Sequence, residues 1–207
     1  MTPESVLHAR RRPLTESELL AIPWMRLLTE EERARAATDL KIAEASPGET
    51  LCRTGRPVTY WFGEGTALKR ESYRYNIETL RKSRVAGLHV DTFHWLLDHS
   101  IGFNRFVMNQ LNERLAQFIA AREIDRMNNP DVRVARSLAA LFNPVLYPGV
   151  GEVLRITQQE LAYLVGLSRQ RVNEALNTLQ AQGSIRVEYG GLRVLDLAAL
   201  RSPSLLP

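Results

Sequence analysis

Between Thr157 and Glu174 lie nine side chains that could touch a nucleic acid: Thr157, Gln158, Gln159, Ser168, Arg169, Gln170, Arg171, Asn173 and Glu174. Arginine can donate two parallel bonds to guanine O6 and N7, and glutamine pairs well with adenine N6 and N7. Such groups read base edges only when an exposed helix holds them by its N-terminal end in a major groove. The surrounding sequence supplies that support. Thr157, with Glu160 three residues later, is a capping box that opens a first helix. Leu161, Leu164 and Val165 recur on one face of it, and Gly166 lets the chain turn sharply. Ser168 then caps a second helix, from Arg169 to about Gln182, with Val172, Ala175, Leu176 and Leu179 as its inward stripe. Arg169, Gln170 and Asn173 are left on another face. Arg171, Thr157 and Gln158 suit phosphate contacts, because a capped helix N-terminus points N–H groups at the backbone.

Gly183 ends the second helix. Ile185–Tyr189 and Leu192–Val194 alternate in polarity on either side of Gly190-Gly191, which predicts a hairpin. Helix, turn, helix and hairpin in that order read as a winged helix-turn-helix. The competing reading is a small helical subdomain with a surface hairpin.

The elements that come before it fill most of the 207 residues. Residues 1–20 are polar and are expected to be loosely ordered. Thr29 and Glu32 form another capping box, opening a helix to about Lys41. Short strands are expected near Thr50–Arg53 and Thr59–Phe62, and two more, Tyr75–Leu80 and Ser83–Leu88, joined by a turn at Arg81-Lys82. Asp91 is expected to cap a short helix, Thr92–Leu97. A long helical stretch then runs from about Gly102 to Asn128. Met108, Leu111, Leu115 and Phe118 recur along it at intervals of three, four and three, a coiled-coil-like spacing. That stripe fits a homodimer seam; a core helix packed within its own domain is the alternative. Asn129-Pro130 breaks the helix, and Asp131–Phe142 is a further one.

Composition narrows the class. The chain is 44% hydrophobic and 24% charged, as in an ordinary globular protein, and no apolar run approaches the roughly 20 residues of a membrane span. Net charge is +4, and residues 131–207 hold eight Arg against six acidic groups, so nucleic-acid binding rests on placement rather than on bulk charge. The single cysteine, Cys52, excludes an internal disulfide and a multi-thiolate metal site, and a reducing cytoplasm is the simplest setting. The four histidines, His8, His89, His94 and His99, show no metal-binding spacing. No P-loop, GxSxG or paired catalytic carboxylates are present, so neither an enzyme nor a bound cofactor is expected.

A small β domain, a long helix, a break and a winged helix-turn-helix is the order of the Crp/Fnr family of bacterial transcription regulators. Residues 157–169, TQQELAYLVGLSR, closely resemble the DNA-binding signature of that family. Pro47-Gly48-Glu49 with Gly55 looks like the opening of its cyclic-nucleotide-type β-roll, and Phe62-Gly63-Glu64 like the start of its phosphate cassette. The resemblance implies an α+β fold. A shortened β-roll domain would occupy 20–99, a dimerisation helix 100–129 and a winged helix-turn-helix domain 130–207. It further implies double-stranded DNA, a second copy of the chain and RNA polymerase as partners, with no membrane. Arg169 would read guanine. Gln170 stands where many relatives carry Glu, and Glu174 where cAMP-type members use a second guanine-reading Arg.

The resemblance also identifies a degenerate ligand pocket. Gly63, Glu64 and Arg74 match the cassette's turn, its ribose-binding Glu and its phosphate-binding Arg, but Tyr75 replaces the small hydroxyl residue that follows. Eight strands with short turns need roughly 65–75 residues. Pro47 to Asp91 offers 45. Some strands of the roll are therefore expected to be absent, a closed cavity is not expected, and apolar surface near Trp61 and Phe62 should be exposed. The leading function is a sequence-specific regulator that does not answer to cAMP. The alternative is a small-ligand sensor whose winged helix serves protein contact.

Overall fold

A computed structural model describes residues 10–63 and 65–202, which fall into two compact units divided between Leu111 and Asn112. The first unit opens with α1 (Glu16–Leu20), a 3-10 turn over Pro23–Leu27, and α2 (Glu30–Asp39). Thr15 with Glu18 and Thr29 with Glu32 form reciprocal capping boxes, satisfying backbone donors that a helix start otherwise leaves free. A capped helix thus corrects the expectation of loosely ordered chain for residues 10–20, while residues 1–9 of that expectation lie outside the described residues.

After α2 the chain passes directly into β1 (Leu40–Ala45), a strand whose alternation is blurred by its alanines. β2 (Thr50–Cys52), β3 (Tyr60–Trp61), β4 (Ile77–Glu78) and β5 (Ser83–His89) follow. They make two small antiparallel sheets, β1-β5-β3 and β2-β4. The hairpin expected across Arg81-Lys82 does not form: β5 pairs with β1 and β4 with β2. The turn at Ser46–Glu49 decides this, because Thr79 bonds to Ser46 O through its hydroxyl and accepts from Gly48 N, drawing β4 onto β2. On the outer edge of β1, Arg12 exchanges two backbone hydrogen bonds with Ile42, each 2.9 Å.

Trp61 is the centre of the first core, 4.8 Å from Phe93, 5.5 Å from Phe103 and 6.0 Å from Trp24, ring centre to ring centre. It is only 6% exposed and Phe62 is half-buried, so the apolar surface expected there is absent. Helices do the covering. Trp24 comes from the 3-10 turn, Phe93 from α3 (Val90–His99) and Phe103 from the first turn of α4 (Ile101–Asp125). The cap of α3 also differs from expectation: His89 Nδ1 accepts from Asp91 N, while Asp91 lies in the first turn and pairs with Arg70 at 2.7 Å.

Farther along α4, Met108 (64% exposed), Leu111 (39%), Leu115 (58%) and Phe118 (61%) lie open, whereas Val107 is buried. One continuous helix thus carries a core face at its start and an uncovered apolar stripe beyond it.

In the second unit, Asn129 caps α5 (Pro130–Ala140), its carboxamide accepting from Asp131 N and Val132 N, with Pro130 at the first helical position. β6 (Val153–Leu154), α6 (Gln158–Val165), α7 (Arg169–Ala181), β7 (Ile185–Glu188), β8 (Gly191–Val194) and α8 (Leu197–Arg201) complete it. The strands order β6-β8-β7. Val134 and Leu138 of α5, Leu161 of α6, Val172, Leu176 and Leu179 of α7, and Ile185 and Leu192 of the hairpin share one core. Leu164 does not join it: it is half exposed, and Ala162 faces inward with Leu161 and Val165. The hairpin turn is Tyr189-Gly190 rather than Gly190-Gly191, since Glu188 pairs with Gly191. Gly191 lies inside β8, where a Cβ would stand 2.5 Å from the Leu154 carbonyl oxygen. That close approach requires glycine.

Candidate nucleic-acid interface

The site is held by caps at both of its helices. Thr157 Oγ1 accepts from Glu160 N at 3.1 Å and the Glu160 carboxylate accepts from Thr157 N at 2.7 Å. At the other end of α6, Gly166 adopts φ +68°, the left-handed conformation that a side chain would strain. Arg133 of α5 donates to the Val165 carbonyl at 2.8 Å, satisfying one of the oxygens freed where the helix stops. Ser168 Oγ accepts from Arg171 N and starts α7. Gln158 Nε2 donates to Asn173 Oδ1 at 2.9 Å, joining the two helices across their outer face. At the end of α7, Gln180 Oε1 accepts from Val187 N at 2.8 Å and pins the hairpin to the helix.

These supports leave the polar groups of α7 in unequal states. Arg169 is exposed and makes no hydrogen bond or ion pair with another described residue. Gln170 donates to Glu174 at 3.3 Å. Arg171 is committed twice, to Glu174 at 2.6 Å and to Asp131 of α5 at 3.2 Å. The hydrogen bond from Arg171, and behind it that from Gln170, holds the Glu174 carboxyl below the usual carboxylate range. The same bond raises Arg171 further above an ordinary guanidinium. On the hairpin, Arg186 and Arg193 share Glu188, and Arg193 also reaches Glu152. At the start of α6, Thr157 and Gln159 are exposed and Gln158 is half-buried. The structure therefore gathers all nine expected residues on α6 and α7 or at their caps. Asp131, Arg133, Gln180 and Glu152, which sequence reading passed over, are the groups that orient or neutralise them. Three of these partnerships span 32–41 residues, so no local pattern announces them.

The expected ligand pocket is built differently. Gly63 has φ +97°, and Glu64 lies outside the described residues. Arg74 is exposed and paired with Glu71, three residues earlier. Tyr75 is 44% exposed, its hydroxyl 3.5 Å from Thr66 Oγ1. A cleft of about 260 Å³ in this unit is lined by Arg10, Arg12, Ile42, Ala43 and Glu44, none of them from the cassette. Among the described residues no cluster of His, Cys, Asp or Glu could hold a metal ion, and no helix is long and apolar enough to cross a membrane.

A family model of the Crp-like helix-turn-helix domain matches residues 132–202, the interval that runs from within the first turn of α5 to the end of α8. Those residues form a Crp-like helix-turn-helix domain. The transcriptional regulator SdrP of Thermus thermophilus is 33% identical over 101 residues, 46% of this chain. The match spans half of that relative's length. FixK2 from Bradyrhizobium japonicum superposes with a TM-score of 0.63 at 13% identity, covering 78% of this chain and 96% of that one. TTHB099, a CRP-family transcriptional regulator from Thermus thermophilus, superposes with a TM-score of 0.52 at 20% identity, covering 76% and 94%. At such identities the likeness is one of fold: mixed α and β, a β-roll followed by a helix-turn-helix domain.

Proposed function

We propose that this chain is a Crp/Fnr-type, sequence-specific DNA-binding transcriptional regulator, acting in the cytoplasm as a homodimer on a near-palindromic site. The observation that carries the reading is Arg169, an exposed, unengaged cation at the start of a Ser168-capped helix that follows a glycine turn. A guanidinium so placed is free to pair with guanine O6 and N7. Gln170 favours adenine beside it, and Glu174, already bonded to Arg171, does not specify an outer guanine. Thr157, Gln158, Gln159 and Ser168 flank it as backbone contacts, since Thr157 and Ser168 each cap a helix N-terminus and Gln158 bonds across to Asn173.

The uncovered stripe Met108, Leu111, Leu115 and Phe118 supports the dimer, with residues 100–129 as the dimerisation helix and RNA polymerase as the downstream partner. Two copies along that seam would set recognition helices about 34 Å apart, one turn of DNA. We further propose that cAMP is not the signal. A cyclic phosphate needs a sheltered cation, but Arg74 is exposed and neutralised by Glu71, and Tyr75 supplies bulk where a small donor would be needed.

The test is a mobility shift against selected random duplexes at fixed salt, with and without millimolar cAMP. Selection of a two-fold symmetric sequence, shifted equally in both conditions, is expected. No preference over random DNA would overturn the DNA reading, and a tenfold gain with cAMP would overturn the ligand reading.

A further inference from the structure

Beyond the base-reading face, the second unit contains a joint between α4 and the loop that follows α5. Asn143 Nδ2 donates to Glu113 at 2.7 Å. Tyr147 OH donates to Gln117 Oε1 at 3.2 Å and accepts from Arg114 Nη1 at 3.4 Å, with the same guanidinium 5.6 Å from the ring centre. Gln117 Nε2 in turn donates to Ala140 O, at the last residue of α5. The loop side of the joint is itself rigid, because Asn143 Oδ1 accepts from both Val145 N and Leu146 N at 2.9 Å, and Leu146 is buried.

Helical geometry gives this joint its meaning. At 100° per residue, Glu113 and Gln117 fall on the side of α4 roughly opposite Leu111, Leu115 and Phe118. One face of the helix thus carries the open apolar stripe and the other carries the bolts. At its far end, α5 holds the recognition helix through Asp131 and Arg171. A path of direct hydrogen bonds therefore runs from α4 through the loop and α5 to α7.

We infer that Asn143 and Tyr147 are positioning residues that fix the recognition helix to α4, and so set the half-site spacing that the protein accepts. The inference rests on the dimeric DNA-binding reading. One added base pair moves a half-site by about 3.4 Å and turns it by roughly 35°, so a stiff joint must discriminate against it. A loose joint would tolerate it.

The experiment uses the full chain and duplexes carrying two selected half-sites at stepped separations, together with a duplex carrying a single half-site. Asn143→Asp keeps the oxygen that caps Val145 and Leu146 but sets a carboxylate against Glu113. Expected is a wild-type preference of about tenfold for one separation, falling to about twofold in Asn143→Asp, with single half-site affinity unchanged. Glu113→Gln added to Asn143→Asp restores a donor and should restore the preference. Tyr147→Phe, which keeps the ring and loses both hydroxyl bonds, should relax spacing in the same way. Unaltered spacing preference in Asn143→Asp and Tyr147→Phe overturns the inference. So does an equal loss on every duplex, or a loss that Glu113→Gln fails to restore. Failure of the underlying reading is distinct, because the wild type would then bind no duplex selectively or would be monomeric by light scattering.

Discussion

Arg171 on α7 divides its guanidinium between Asp131 of α5 at 3.2 Å and Glu174 at 2.6 Å, with its side chain still 38% exposed. Two carboxylates around one cation leave that patch net negative, which is an unusual setting for a phosphate contact. Arg171 is better suited to holding α7 against the start of α5. Arg171→Gln should therefore weaken DNA binding without changing its salt dependence. Loss of a true phosphate contact would lower the slope of log K against log salt by about one. A slope that falls by one in the variant would place Arg171 on the DNA backbone.

Arg169 should behave in the opposite way. With its charge unengaged within the described structure, Arg169→Ala is expected to cost about 1–3 kcal/mol at one base pair and to relax preference there, with melting temperature unchanged. Competition binding with single-base variants of the selected site reads this directly. Equal loss on specific and random duplexes would remove the base-reading role.

The stripe on α4 makes a third prediction. Leu115 is 58% exposed, so Leu115→Glu should leave the folded units intact while setting two like charges into any seam between copies. Light scattering at micromolar concentration should show dimers for the wild type and monomers for the variant, with tight DNA binding lost. A monomeric wild type would end the dimer reading.

A fourth concerns acid. Hydrogen bonding to Arg12, and then to Thr15 N, holds the Glu18 carboxyl at about 2, from an ordinary value of 4.5. A depressed folded value means that the ion pair stabilises the first unit above the unfolded value and loses that contribution as pH falls from about 4.5 toward 2. Glu18→Gln should flatten the acid limb of the unfolding curve in that window. An unchanged limb would show that the pair contributes nothing.

Much of this was readable from residue types alone, because the decisive signals are short-range. Thr157 with Glu160, Gly166 and Ser168 each act within one helical turn, and all appear where their spacing puts them. The same locality exposes the α1 cap at Thr15 and Glu18, which composition had obscured. Strand partnership was less legible. Nothing within Tyr75–Leu80 tells that Thr79 will bond back to Ser46, 33 residues earlier, and so separate β4 from β5. The shelter of Trp61 was hidden for the same reason: Trp24, Phe93 and Phe103 come from three segments that only the tertiary fold brings together. The neutralising partners of Arg171 and Arg193 likewise arrive from 40 and 41 residues away.

The Arg12–Ile42 exchange also governs how the molecule meets others of its kind. β1 is the outermost strand of its sheet, and an uncovered outermost strand is a template on which a stranger can add its own backbone. Two backbone hydrogen bonds between Arg12 and Ile42 stand in the way. Removing the residues before Pro13 would leave the winged helix untouched, yet it would bare β1 as an edge on which other copies could stack.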